Sequence, residues 1–264
     1  MSIYLLFMEL MVAYRDDPAG YNMAKFITKN LENDNDVFHG KNFDLAIIST
    51  PTISADWLEE KFHYDGFIFL SKHASESGTL ALTCHSTGNF DIASFGGNPK
   101  QIAIPHPNFQ KTYLKNLSNG HESFPDFQIT IEATHHGPTS LEKPCIFIEI
   151  GTTEKQWNDT ELCNSVSKVI LKTIENPIQN YPFAICFGGN HYSKKFSNEL
   201  INGKFALGTV VPKHALDFVD KLLFLHIMNR NNGAKAALLD WNGLGKNKQR
   251  VIDFLTTTNL EIIK

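Results

Sequence analysis

Cysteine is scarce and scattered: the chain has four, Cys84, Cys145, Cys163 and Cys186, and no C-x-x-C pair. That excludes a zinc ribbon and a thioredoxin-type redox motif. Free thiols in a reducing compartment are expected, since an unpaired cysteine is usually a small buried hydrophobe. Positive charge is also short, with 24 Lys and Arg against 28 Asp and Glu and a net charge of −4. Bulk charge therefore does not make this chain a nucleic-acid binder, and any phosphate contact needs a local basic patch. Long apolar runs are missing except at the N-terminus. That run contains Glu9, has no basic segment before it and is followed by Arg15, Asp16 and Asp17 rather than by a small-residue cleavage site. It reads as a first strand, not as a signal peptide or membrane helix. The G-x-G-x-x-G, G-x-x-x-x-G-K and G-x-S-x-G patterns are absent. Nucleotide-dependent dehydrogenase, P-loop NTPase and serine hydrolase readings lose their support with them.

What is present is an ordinary globular balance. The 264 residues are 42% hydrophobic and 20% charged, which excludes disorder, collagen and coiled coil and allows a sizeable core. Apolar runs at 11–14, 45–49, 66–70, 80–84, 127–133, 145–150, 183–187, 205–211 and 236–240 read as strands. Most are nearly continuous, as strands covered on both faces are. Helical patterns fall between them at 20–31, 108–117, 153–174, 216–228 and 246–255. The alternation predicts an α/β protein built on a mixed, mostly parallel sheet flanked by helices. No linker divides the chain, so residues 1–264 read as a single α/β domain, with the glycine-bearing stretch 86–101 its most flexible internal segment.

The chemistry concentrates in the eleven histidines. His73, His85, His135, His136 and His191 fall at or just beyond strand ends, and His106 lies between Pro105 and Pro107. In open α/β sheets the carboxyl ends of strands form the ligand crevice, so these segments are expected to converge on one pocket. Strand parity adds that Glu132, Thr134 and His136 share a face, as do Ser71 with His73 and Thr83 with His85. His135 points the other way unless the Gly137-Pro138 turn rotates it, and Lys72 opposes His73. Cys84 faces away from His85, which removes a Cys–His nucleophile pair. Glu149 interrupts an apolar strand opposite its Ile neighbours, and must there be paired, hydrogen-bonded or metal-bound. Zinc suits a set of His and carboxylate ligands. Of the basic clusters, Lys111 with Lys115 and the group Lys246, Lys248 and Arg250 read as solvated surface. Lys194 and Lys195 follow the Gly188-Gly189-Asn190-His191-Tyr192 turn and would put positive charge where a phosphate backbone docks.

Five motifs occur in order: Ser71-Lys72-His73-Ala74-Ser75; Leu82-Thr83-Cys84-His85 with Gly88-Asn89; Glu132-Ala133-Thr134-His135-His136-Gly137-Pro138-Thr139; the stretch from Phe147 through Gly151-Thr152-Thr153 to Trp157; and Gly188-Gly189-Asn190-His191-Tyr192. Together they resemble the archaeal and plant type of D-aminoacyl-tRNA deacylase, also called D-tyrosyl-tRNA deacylase. The match runs from Asp17-Pro18-Ala19 to at least His214. Ser193-Lys194-Lys195 stands where that family has Ala-Pro-Arg, and the segment before Met8 is atypical of it. The resemblance implies hydrolysis of the ester between a D-amino acid and the 3′ end of tRNA, with zinc (Zn2+) as cofactor and a cytoplasmic location. It also implies a fold similar to phosphorylase and peptidyl-tRNA hydrolase architectures.

On that basis the expected metal ligands are His85, His135 and His191, with Glu149 as a fourth ligand or as a partner orienting an imidazole. His136, beside Glu132, is expected as general acid or base. Lys72 and His73 would stabilise the oxyanion or hold the terminal ribose, and Lys194 and Lys195 would contact acceptor-stem phosphates. The partner is the acceptor end of aminoacylated tRNA, with no membrane and no obligate protein partner. Two rivals stay open: another metal-dependent hydrolase acting on a small amide, ester or nucleoside, and a non-catalytic tRNA-binding protein.

Overall fold

The computed structural model describes residues 8–75 and 78–264. The first seven residues of the apolar N-terminal run lie outside them. The remainder of that run forms β1 (Glu9–Tyr14), followed by α1 (Pro18–Thr28), β2 (Glu32–Asp34), β3 (Val37–His39), β4 (Phe43–Ile48), α2 (Leu58–Lys61), β5 (Gly66–Ala74), β6 (Ala81–His85), β7 (Gly88–Asn89), β8 (Gln101–Ile102), α3 (Pro107–Asn119), β9 (Gln128–Ile131), β10 (Cys145–Thr152), α4 (Glu154–Trp157) and α5 (Thr160–Ile174). The chain continues through β11 (Phe183–Phe187), α6 (Lys194–Asn202), β12 (Ala206–Val211), α7 (Lys221–Arg230), β13 (Ala236–Leu239), α8 (Lys248–Leu255) and β14 (Glu261–Ile263).

The strands form two principal sheets. The larger has the order β2-β3-β4-β1-β5-β10-β6-β9, the smaller the order β12-β11-β13-β14, and β7 pairs with β8. The mixed, mostly parallel α/β architecture matches the strand–helix alternation. β4, β1, β5 and β10 run parallel, and the smaller sheet is parallel throughout. β6 runs against β10, with β9 parallel to β6. β5 shows why the central strands read as unbroken apolar runs. Phe67 and Phe69 enter one buried cluster while Ile68 and Leu70 enter another, so both faces are covered. The latter cluster also takes in Ala184, Cys186, Leu207 and Val210 of the smaller sheet.

Local signals explain the helix boundaries. Pro18 opens α1, and Asp17 caps it by accepting from the Gly20 amide at 2.9 Å. The other Asp17 oxygen accepts from Ser71 Oγ at 3.0 Å and the Lys72 amide at 2.9 Å. One carboxylate thus ties the start of α1 to the end of β5. Gly20 is required there, because a Cβ would strike the Leu70 carbonyl. The long helical pattern 153–174 breaks into α4 and α5 because Asp159 caps the Glu161 and Leu162 amides. The segment 216–228 divides in the same way, with Asp220 capping α7. No helix among the described residues is long and apolar enough to cross a membrane.

Lys111 departs from the expectation of a solvated surface. It is fully buried, and its ammonium donates to the carbonyls of Leu200 (2.8 Å), Gly203 (2.9 Å) and Phe205 (2.9 Å), with Glu199 at 3.3 Å. Leu200 lies in the last turn of α6, where carbonyls run out of helical partners, and Gly203 and Phe205 follow it. The side chain joins α3 to α6 and to the entry of β12. Replacing it as Lys111→Met strands those acceptors in a dry interior. The variant is expected to lose about 2–4 kcal/mol of stability, read as a lower urea midpoint with an unchanged slope.

Candidate functional site

The site is built on one face of the three strands β5, β10 and β6. Glu149 of β10 lies beside Ser71 on one side and Thr83 on the other. One step along the same face, His73 pairs with Gly151 and His85 with Phe147. Ile146, Ile148 and Ile150 enter the opposite apolar cluster, so the lone carboxylate of the strand faces the histidines. Gly151 leaves room for the His73 ring, since a Cβ there would sit 3.1 Å from its Cδ2. Phe147 stacks under His85, with centroids 5.4 Å apart and planes 16° apart. Because β6 runs against β10, the histidines gather over a sheet face rather than beyond a common set of carboxyl ends.

The other half of the cluster comes from the segment after β9, which ends at Ile131. From there the chain leaves strand geometry and bridges the two sheets. The Ala133 amide donates to the His191 carbonyl at 2.8 Å and the Thr134 amide to the Val210 carbonyl at 3.0 Å. His136 adopts φ +44, a left-handed conformation that turns it inward beside His135. Their ring centroids are 4.4 Å apart, and those of His85 lie 4.1 Å from His135 and 4.8 Å from His136. Strict alternation fails at this point, and both neighbours reach the same cluster. His191, from the turn after β11, places Nε2 at 2.8 Å from Glu132 Oε2.

Three imidazoles are oriented alike. Nδ1 of His85 lies 3.0 Å from the Ser86 carbonyl, that of His135 2.9 Å from the Ala133 carbonyl, and that of His136 2.7 Å from the Gly137 carbonyl. A carbonyl can only accept, so each Nδ1 carries a proton and, in the neutral ring, Nε2 keeps the lone pair. His85 Nε2 is buried with no partner within hydrogen-bond distance, Glu149 Oε1 being 3.7 Å away, whereas the two oxygens of the buried Glu132 face His191 Nε2 and His73 Nδ1. His73 differs. Its Nδ1 lies 3.0 Å from Glu149 Oε2 and 3.1 Å from Glu132 Oε1, while its Nε2 is engaged by the Tyr192 hydroxyl. Both ring nitrogens are therefore committed.

The charges follow from these contacts. Burial disfavours the charged form of every group here. It works against His73 and His85, yet the carboxylates of Glu149 and Glu132 raise both imidazoles above their ordinary value. Burial likewise opposes ionisation of Glu149, but His73 and His85 hold its carboxyl low. Burial together with the neighbouring His85 lowers His135 strongly and His136 to about 4. Those two rings are neutral at working pH, the form that binds a metal.

Comparison with known proteins is decisive. A family model described as D-aminoacyl-tRNA deacylase matches residues 60–263. A protein named D-aminoacyl-tRNA deacylase from Cenarchaeum symbiosum is 53% identical over 256 residues, covering 97% of this chain and 99% of its own length. The chain belongs to the D-aminoacyl-tRNA deacylase family. A relative of the same name from Thermoplasma acidophilum is 32% identical, with 97% and 99% covered. The crystal structure of a conserved protein of unknown function, AF0625, superposes with a TM-score of 0.91 at 26% identity, covering 98% of this chain and 95% of that one.

Within this deacylase-family fold, His73, His85, Glu132, His135, His136, Glu149 and His191 come together. His106 does not join them; its Nε2 pairs with Glu9 at 2.9 Å. Lys72 points away, with its ammonium 4.9 Å over the Trp157 ring, so the oxyanion role expected of it has no support in this geometry. Lys194 is exposed in the first turn of α6, while the Lys195 ammonium donates to the Leu239 carbonyl at 2.6 Å. The ligand-capable atoms fall into three groups, each within 4.8 Å: His85, His135 and His136; Glu132, His135 and His191; His73, Glu132 and Glu149. The expected set of His85, His135, His191 and Glu149 is none of these. His136, expected as acid or base, stands with His85 and His135 instead. Sequence reasoning assigned no role to Tyr192, although its place next to His191 was a signal.

The donor chemistry fits zinc. Three imidazoles whose Nδ1 protons are held by backbone carbonyls, which turns Nε2 to the site, with the Glu132 and Glu149 carboxylates beside them, form a ligand set with its supporting contacts already in place. Glu149 also makes a stability prediction. Its lowered carboxyl contributes stability that is present above the ordinary value of 4.5 and lost as pH falls through the lowered one. The raised His73 contributes below its ordinary value of 6.5 and loses this as pH rises through the raised one. With a chelator present, the stability gap between wild type and Glu149→Gln should be widest between about pH 4.5 and 6.5 and narrow on either side. Urea unfolding at stepped pH measures it.

Proposed function

We propose that this chain hydrolyses the ester between a D-amino acid and the 3′-terminal ribose of tRNA, with zinc held by His85, His135 and His136. The observation that carries the reading is the common orientation of those three imidazoles, each with Nδ1 on a backbone carbonyl and Nε2 turned inward. When bound, zinc polarises the ester carbonyl and lowers the pKa of water towards neutrality. Glu132, buried and held between His191 and His73, takes the proton of the attacking water. His191 is 41% exposed and touches Glu132, so it stands where a proton passes to the ribose oxygen as the carbonyl carbon–oxygen bond breaks. Glu149 and Glu132 fix His73 from one side and Tyr192 fixes it from the other, which holds the carboxylates apart and oriented. Exposed Lys194 is the basic residue for the acceptor phosphates, a contact sensitive to salt. The reading places the protein in the cytoplasm, where aminoacyl-tRNA is used.

D-tyrosyl-tRNA and L-tyrosyl-tRNA, each assayed with and without a chelator, test the reading. The D ester should be released, the L ester spared, and the chelator should abolish release. No release of either ester would overturn the function, and chelator-resistant release would remove the metal. His85→Ala should lose bound zinc and lower kcat/KM by more than about 100-fold. Full zinc content in that variant would break the ligand set. Tyr192→Phe should keep its zinc and lose about tenfold in kcat with little change in KM, measured by steady-state kinetics beside metal analysis.

A further inference from the structure

The segment between β7 and β8 carries two large apolar side chains in solvent, Ile92 at 71% and Phe95 at 69% exposure. Their setting is not that of a loose loop. The Lys100 amide closes it onto the Asp91 carbonyl at 3.0 Å. Asn89 donates to the carbonyls of Gly96 (2.9 Å) and Asn98 (3.2 Å), and the Asn98 amide donates to Thr139 Oγ1 at 2.9 Å. Gly96 and Gly97 take φ +74 and +72, and their backbone packs against Ile53 and Thr139 too closely for any Cβ. The Phe95 carbonyl accepts from the Gly137 amide at 3.0 Å. Gly137 follows His136 and holds its Nδ1 through its own carbonyl. An exposed aromatic residue is thus mounted on a braced loop whose backbone is tied to Gly137, the residue that follows and holds His136.

We propose that Phe95 is the platform on which the unpaired terminal base of the acceptor strand stacks, an assignment that rests on the deacylase reading above. In such a substrate the base and the ester share one ribose, so a group that seats the base beside the cluster also seats the ester over it. The amino-acid side chain varies between substrates, whereas the terminal adenine is common to all of them, and a rigid platform suits the constant part. Base–aromatic stacking contributes substantially to single-strand binding and needs no net positive charge. That matters in a chain with a net charge of −4, where phosphate contacts alone give weak binding.

The test uses uncharged tRNA with 2-aminopurine as its terminal base, together with D-tyrosyl-tRNA kinetics. Binding to wild type should quench the probe. Phe95→Ala should abolish the quench and raise Kd and KM by about tenfold or more with kcat largely kept, and Phe95→Trp should restore both. Unchanged quench and Kd in Phe95→Ala would overturn the proposal. So would a fall in kcat at constant KM, which marks a support for His136 only. A changed preference among D-amino acids with the quench intact would assign the ring to the amino-acid side chain, and would likewise overturn it. Wild type that quenches the probe but releases no D-tyrosine would defeat the deacylase reading and leave the stacking assignment standing.

Discussion

Two carboxylates buried among imidazoles are the constraint around which this molecule is arranged. Glu132 is fully covered and Glu149 is 3% exposed, and an isolated charge at either place would cost several kcal/mol. Neither side chain is tolerable without the histidines, and the histidines come from separate parts of the chain. His73 and His85 arrive on the two strands that flank β10 in the larger sheet, His135 and His136 on a connection between sheets, and His191 on a turn of the smaller one. The local folding of each segment therefore answers to an electrostatic requirement set by the others.

The same requirement explains where regular structure stops. β9 ends at Ile131, the Glu132 amide makes one last bond to the Cys84 carbonyl at 3.1 Å, and the chain then turns so that alternate side chains no longer part. The left-handed backbone at His136 and the amide contacts of Ala133 and Thr134 to the His191 and Val210 carbonyls replace the lost ladder. The backbone groups that leave the larger sheet are satisfied by the smaller one. Site and sheet junction are consequently one structure, and order at the cluster reports how well the two sheets are seated.

Much of this was legible in the amino-acid sequence, for identifiable reasons. Central strands such as β5 and β10 declare themselves because both faces are buried. Glu149 is conspicuous because a carboxylate in an apolar strand demands a partner, and strand parity correctly separates it from Ile146, Ile148 and Ile150. Parity gives no guidance beyond Ile131, so the sequence left open whether the Gly137-Pro138 turn rotates His135 to the side of His136, as it does. The division of histidines was also hidden. His106 looks like the others but answers to Glu9, and the Nδ1 contacts to carbonyls that group His85, His135 and His136 involve backbone atoms that no pattern of residue types reveals. The five ordered motifs pointed to the family without disclosing which side chain does what within it.

Lys111 carries a further consequence, for chemistry done to the protein rather than by it. Its amine is sealed from solvent and surrounded by carbonyl oxygens, whereas lysines such as Lys72 and Lys194 stand in water. Amine-directed reagents will decorate the surface lysines of the folded molecule and pass this one by. Its acylation requires the contact between α3 and α6 to open, so the extent of label at this single position is a clock for that opening, and an acyl group placed on it before folding removes the ammonium that the four carbonyls accept from.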